Sequence, residues 1–253
     1  MAAELSDAAG SGGIGTLGVI VLDAPDIKGL SAFYAELAGV AIVRADDDWV
    51  ATTTPEGWQL AFQQADDHTP PRWPDPAFPQ QMHLDLVVPD LAAAVSAAER
   101  AGATRLPGGG DTYTVLADPA GHPFCLCQRE GADGGRIVDV CLDCPDASAL
   151  ARFYRPLLGM EITYESPEGV MLAAEGQPGV VFQNVATYTP PRWPDPAHPQ
   201  QLHLDVDVTD IDEAEPRVLA LGATRLAEGN DSFRVYADPA GHQDTARPSF
   251  TER

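Results

Sequence analysis

The chain is one unit written twice. Landmarks recur at a constant offset of 120 residues: "LDAPD" at Leu22 answers "LDCPD" at Leu142, and "AFY" ending at Tyr34 answers "RFY" ending at Tyr154. His83 answers His203, "GATRL" at Gly102 answers Gly222, and "ADPAGH" ending at His122 answers His242. The period is too long for a solenoid, whose repeats run to roughly 20–50 residues. It predicts two homologous domains, residues 16–130 and 131–253, joined by the Gly-rich hinge "REGADGG" that begins at Arg129. A chain of 253 residues is long enough to bury a core in each.

Each unit has a second level of order. "LGVIVLD" reads as a strand, and Asp26 can cap a helix whose apolar residues Leu30, Phe33, Tyr34 and Leu37 fall at i, i+3, i+4 and i+7. Strand-like runs follow at "VAIVRA", "DWVATTT" and "WQLAFQQ". The pattern then restarts with "MHLDLVV", a helix capped by Asp90 with Leu91, Ala94, Val95 and Ala98 on one face, and strands at "ATRLP", "TYTVLAD" and "PFCLCQ". The expectation is four β-α-β-β-β modules of the α+β class, since the order is neither strict βα alternation nor a run of strands alone.

Modules one and two are joined by "TPPRWPDPAFPQQMHLD" from Thr69, which recurs from Thr189 with two changes in 17 positions, Phe78 against His198 and Met82 against Leu202. Pro70, Pro71, Pro74, Pro76 and Pro79, with Pro89 just beyond the next strand, hold the backbone extended without hydrogen bonds. The segment is expected to be a stiff strap with Trp73 tucked onto the core. A compatible role has Trp73 and Arg72, and their counterparts Trp193 and Arg192, walling a ligand pocket.

Strand alternation separates two faces. Met82, Leu84 and Leu86 oppose His83, Asp85 and Val87; in the second half Leu202, Leu204 and Val206 oppose His203, Asp205 and Asp207. The apolar face packs on helices. A His two residues from an Asp is either a general base oriented by a carboxylate or a hydrogen-bonded pair that fixes the wall. "DPAGH" spells a tight turn before His122 and His242, and Asp23 and Asp143 at strand exits are expected in turn or helix-entry roles. Cys125-Leu-Cys127 and Cys141-x-x-Cys144 permit a zinc-knuckle reading. The repeat favours buried thiols, because Val21 and Ala24 stand where Cys141 and Cys144 do.

The formal charge of −23, from 38 acidic and 15 basic residues, argues against nucleic acid or an anionic membrane as partners. "MAAELSDAAGSGGIG" lacks the n-region and h-region of a signal peptide, so residues 1–15 are expected as a disordered tail on a cytoplasmic protein.

The paired modules, with "FY" in the first helix, "HLD" opening the second module and "DPAGHPF" before the last strand, resemble the vicinal oxygen chelate superfamily, which includes glyoxalase, extradiol dioxygenases and bleomycin-resistance proteins. The similarity is greatest to its glyoxalase-like bacterial branch and covers nearly the whole chain twice over. It implies that two modules curl into a half-open barrel with a ligand on the concave face, and that metal-using members place His, Glu or Gln on the first and last strands. Carried over, those positions are Val19, Gln63, His83 and Cys125 in the first half and Asp139, Gln183, His203 and Thr245 in the second. Only Asp139, Gln183 and His203 make a plausible facial set for iron, manganese, zinc or nickel, and the first half has valine where a ligand belongs. After "DPAGH" the second half reads "QDTARPSFTER", so its last module is expected to lose an edge or finish irregularly.

The incomplete ligand set favours a small-molecule binding protein that needs no metal. Gln63, Arg72, Trp73 and Asp85, with Gln183, Arg192, Trp193 and Asp205, are its candidate ligand contacts, in a pseudo-dimeric monomer or a homodimer. The competing expectation is a lyase, isomerase or dioxygenase using metal or acid–base chemistry at His203 or His83.

Overall fold

The computed structural model describes residues 12–75, 77–192, 195 and 200–249. Module one is β1 (Gly15–Ala24), α1 (Ile27–Ala38), β2 (Ala41–Ala45), β3 (Trp49–Thr53) and β4 (Gln59–Gln64). Module two is β5 (Met82–Val88), α2 (Leu91–Ala101), β6 (Thr104–Arg105), β7 (Tyr113–Ala117) and β8 (Pro123–Gln128). The second half repeats this as β9 (Arg136–Cys144), α3 (Ala147–Leu158), β10 (Glu161–Glu165), β11 (Gly169–Ala173) and β12 (Gly179–Asn184), then β13 (Leu202–Val208), α4 (Ile211–Leu221), β14 (Thr224–Asn230), β15 (Phe233–Ala237) and β16 (Gln243–Pro248). Every helix opens at an aspartate whose carboxylate takes backbone N–H bonds (Asp26, Asp90, Asp146, Asp210). Every helix closes at a left-handed glycine (Gly39, Gly102, Gly159, Gly222).

The modules do not pair within their own halves. Sheet one runs β14-β15-β16-β13-β1-β4-β3-β2 and sheet two runs β10-β11-β12-β9-β5-β8-β7-β6. Module one therefore joins module four through antiparallel β1 and β13, with Val21 opposite His203, and module two joins module three through β5 and β9, with His83 opposite Cys141. Both sheets are open, not closed barrels. The exchange follows from what each strand must bury. The even-numbered side chains of β1 and β13 (Ile20, Leu22, Leu202 in company with Leu204 and Val206) belong to one core that also holds α1, α3 and the apolar face of sheet two. Phe33 packs on Phe124 of sheet two while Tyr34 packs on Phe62 of sheet one, so α1 fills the space between the sheets. The halves are interlocked rather than merely linked. Even the hinge is seated, for a Cβ on Gly135 would lie 2.1 Å from the Leu37 carbonyl oxygen.

The last module is complete. β16 pairs with β13 and β15 despite its polar sequence, because alternation sorts its residues. Asp244 takes the inward place that Phe124 holds in the first half, and the Tyr154 hydroxyl lies 2.7 Å from its carboxyl and 3.0 Å from that of Asp238. Arg247 faces the other way, its Nε 2.9 Å from Asp207 Oδ1. Of the expected tail, residues 1–11 lie outside the described residues; Ile14 N donates to the Pro156 carbonyl and Gly15 already opens β1.

Candidate functional site

The faces turned away from the helices carry the polar chemistry. On sheet one Val19, Val21 and Ala61 form a small apolar floor with Trp49, beside Asp23, His203, Asp205, Asp207 and Arg247. On sheet two the corresponding strands present Asp139, Cys141 and Asp143 from β9, His83 and Asp85 from β5, and Cys125 and Cys127 from β8.

Two clusters have the same plan. Gln200 Nε2 lies 2.8 Å from Asp23 Oδ2 and 2.7 Å from His203 Nδ1, and His203 Nε2 lies 3.5 Å from Asp205 Oδ1. Gln80 Nε2 lies 2.9 Å from Asp143 Oδ2 and 3.2 Å from His83 Nδ1, and His83 Nε2 lies 3.7 Å from Asp85 Oδ1. Each Nδ1 therefore faces a glutamine amide and each Nε2 faces the carboxylate two residues along its own strand. The straps that supply the two glutamines meet between the sheets: Gln81 N donates to the Gln201 amide oxygen and Gln201 N to that of Gln81, both at 3.2 Å.

Electrostatics separate the clusters. Burial opposes charge on His203, but the Asp205 and Asp23 carboxylates outweigh it and hold the imidazole more basic than usual. Burial raises the Asp23 and Asp143 carboxyls, each partly relieved by the histidine it faces, His203 and His83 respectively. On sheet two, burial and the neighbouring Asp85 carboxylate push Asp139 up to about 6. The same two causes raise the Cys127 thiol to about 12 and hold Cys125 and Cys141 as thiols. Asp139 is tightly placed, since a Cβ on Gly179 would lie 2.0 Å from its Oδ1.

The strap closes one end of the sheet-two face. Trp73 donates its indole N–H to the Pro107 carbonyl at 3.1 Å. Beneath it lies a cleft of about 320 Å³ lined by Trp73, Pro74, Asp75, Pro79, Gln80, Asp143 and the segment Val185–Thr189 with Tyr188. The lining holds two carboxylates and two aromatic rings, and no Lys or Arg among the described residues.

The sequence-predicted residues distribute as follows. His83 and Asp85 come together on sheet two, and His203 and Asp205 on sheet one. Trp73 reaches the cleft, whereas Arg72 is exposed with its guanidinium 3.8 Å over the Phe78 ring. Arg192 is exposed, and Trp193 lies outside the described residues. Gln63 pairs in register with Asp23 at the edge of the sheet-one face, and Gln183 with Asp143 on sheet two.

The expected metal set is not assembled. Asp139 and Gln183 stand on sheet two while His203 stands on sheet one, because β13 pairs with β1 and not with β9. In sheet one the carried-over positions Val19, Gln63, His203 and Thr245 offer one strong donor, so a metal at the family positions does not fit there. Sequence reasoning missed Gln80, Gln200, Asp23 and Asp143 as members of the clusters. The signal was their duplication, "PQQ" and "LDxPD", on segments assigned to a strap and to turns.

The fold and its paired polar strand faces define a glyoxalase-type protein. The family model described as a glyoxalase-like domain matches residues 19–127 and again 139–244, and the chain belongs to that family. Glyoxalase I from Zea mays is similar at TM-score 0.63 and 16% identity over 92% of both chains. A putative dioxygenase from Bacillus subtilis is similar at TM-score 0.63 and 13% identity, over 94% of this chain and 86% of that one. The cppA protein of Streptococcus pneumoniae is similar at TM-score 0.53 and 12% identity, over 94% and 100%. No curated protein matches the sequence significantly.

Proposed function

We propose that this protein binds a small cationic or aromatic molecule, in the manner of glyoxalase/bleomycin-resistance binding proteins, and holds it without a bond to metal. The cleft under Trp73 carries the reading. About 320 Å³ lies within the range of small-molecule sites, roughly 300–1,000 Å³. Asp75 and Asp143 supply negative charge, and the Trp73 and Tyr188 rings supply faces for an aromatic or a cation. Asp143 Oδ1 is buried without a hydrogen-bond partner, an acceptor that a ligand N–H would satisfy. Both histidines have Nδ1 within hydrogen-bond distance of a glutamine amide, which favours a positioned ring over a free base.

The test is calorimetric titration with a panel of cationic aromatic metabolites and antibiotics, in chelator. The reading expects a member of the panel to bind, and Trp73→Ala to weaken it about tenfold, the scale of one lost cation–π contact with a desolvated ligand. An inert panel, or binding indifferent to Trp73→Ala, would count against it. The competing enzyme reading draws on the His203–Asp205 and His83–Asp85 pairs, and would show as conversion of a bound compound.

A further inference from the structure

We propose that His242 is a positioning residue for the cleft under Trp73: charged, it ties the Asp143 backbone and the Tyr188 ring to module four, and loss of its proton releases both. The "DPAGH" turn sets the geometry. Asp238 N donates to the His242 carbonyl at 2.8 Å and Gly241 N to the Asp238 carbonyl at 3.0 Å, with Gly241 left-handed at φ 97°. Asp238 Oδ1 takes the backbone N–H groups of Ala240 and His242 at 2.7 and 2.9 Å, which leaves Oδ2 2.9 Å from His242 Nδ1. On the other side of the ring Nε2 lies 2.9 Å from the Asp143 carbonyl oxygen, 99 residues away in β9. A carbonyl oxygen only accepts, so Nε2 donates there, while Nδ1 donates to the Asp238 carboxylate. A ring that donates from both nitrogens is an imidazolium. The Tyr188 oxygen stands 3.3 Å from the same Nε2, and its own proton goes to the Ala240 carbonyl at 2.8 Å. Asp143 and Tyr188 line the cleft, and His242 is wholly buried behind them.

Groups from several elements hold this charge. Asp238 faces Nδ1, with Tyr154 of α3 and Asp244 of β16 beyond it. Asp143 faces Nε2, with His83 beyond it, and Tyr188 comes from the segment after β12. Burial opposes charge on His242, but the Asp238 carboxylate and the Asp143 carbonyl outweigh it and raise its pKa above 6.5. Burial and the Asp238 carboxylate push the Asp244 carboxyl well up, which disfavours a second anion beside Asp238. The folded protein therefore holds the His242 proton more tightly than the unfolded chain does. The tie is complete below about pH 6.5 and is lost as pH rises through the higher folded value. The first half keeps the motif but not the ring: His68 stands where Tyr188 does, its Nε2 3.0 Å from the Ala120 carbonyl. The device belongs to the cleft of sheet two.

The inference deepens the binding reading and rests on it for what the cleft holds, but the two fail separately, since the tie is read in ligand-free protein and the cleft by calorimetry. The full chain, labelled with nitrogen-15, is titrated upward from pH 6 by NMR, following the His242 ring nitrogens and the Tyr188 ring signals. Burial pushes the Tyr188 hydroxyl well up, so its own ionisation stays clear of the titration. The expected result is a His242 ring protonated on both nitrogens at pH 6, losing one proton above pH 6.5 while the protein stays folded by circular dichroism. The Tyr188 signals move with the same midpoint in the wild type and stay flat over that range in His242→Gln. The wild-type co-titration decides alone if the glutamine variant does not fold. A His242 ring with one bare nitrogen at pH 6, a proton lost only with global unfolding, or Tyr188 signals that ignore the titration or still follow it in His242→Gln overturns the proposal.

Discussion

Gln80 and Gln200 each spend one amide nitrogen on a carboxylate from the opposite half and on the histidine three residues further along their own half. That placement explains what a sequence reader sees and misses. The pairs His83–Asp85 and His203–Asp205 are legible because alternation on one strand puts them on one face. Asp23 and Asp143 look like turn residues because their partners are far away in sequence, 177 residues for Gln200 and Asp23. His68 shows the same scale at work in stability. Its Nε2 is 3.0 Å from the Ala120 carbonyl and its ring centroid 4.8 Å from that of His122. Burial, then the charge of His122, lowers its pKa from 6.5 to about 4. The folded state therefore refuses a proton that the unfolded chain accepts, so the contribution of neutral His68 is complete above about pH 6.5 and is lost as pH falls toward about 4. In the second half Tyr188 fills this place, its hydroxyl 2.8 Å from the Ala240 carbonyl. His68→Tyr is expected to shift acid unfolding, followed by circular dichroism, to lower pH; an unmoved midpoint would show that His68 does not limit acid stability.

At the scale of elements, most of the fold was readable. Helices announce themselves through Asp caps and i, i+3, i+4 apolar spacing, and strands through alternation. The duplicated strap was legible as proline-stiffened chain, and Trp73 as its anchor, since both follow from local chemistry. The last module was harder. "QDTARP" looks unlike a strand by composition, yet it forms β16 because its inward aspartate finds the Tyr154 hydroxyl and its outward arginine finds Asp207. Those partners come from α3 and β13, so nothing in the six residues themselves reveals them. β6 is the opposite case, an expected strand of five residues that pairs only over Thr104–Arg105.

At the scale of the whole molecule, the decisive fact is the exchange of modules between halves. Repeats predict two similar units, but not whether a module pairs with its neighbour or with its counterpart across the chain, because all four modules present similar first strands. The exchange is what moves His203 away from Asp139 and gathers Cys125, Cys127 and Cys141 with His83 and Asp85. It also predicts how fragments behave. A chain of residues 16–130 leaves β1 without β13 and β5 without β9, so it buries its strand edges only by pairing with a second copy. Light scattering should find a dimer or an unfolded chain, and a folded monomer would contradict the topology. The reading of this molecule as a binder of small molecules is tested most directly by the fate of what it binds. A compound bound in chelator is incubated with the protein for many turnover-scale half-lives, and its mass and proton NMR spectrum are measured on release. The account predicts recovery unchanged, and equal recovery from His83→Ala and His203→Ala. A change of mass or spectrum that disappears in either histidine variant would make the protein an enzyme and contradict it.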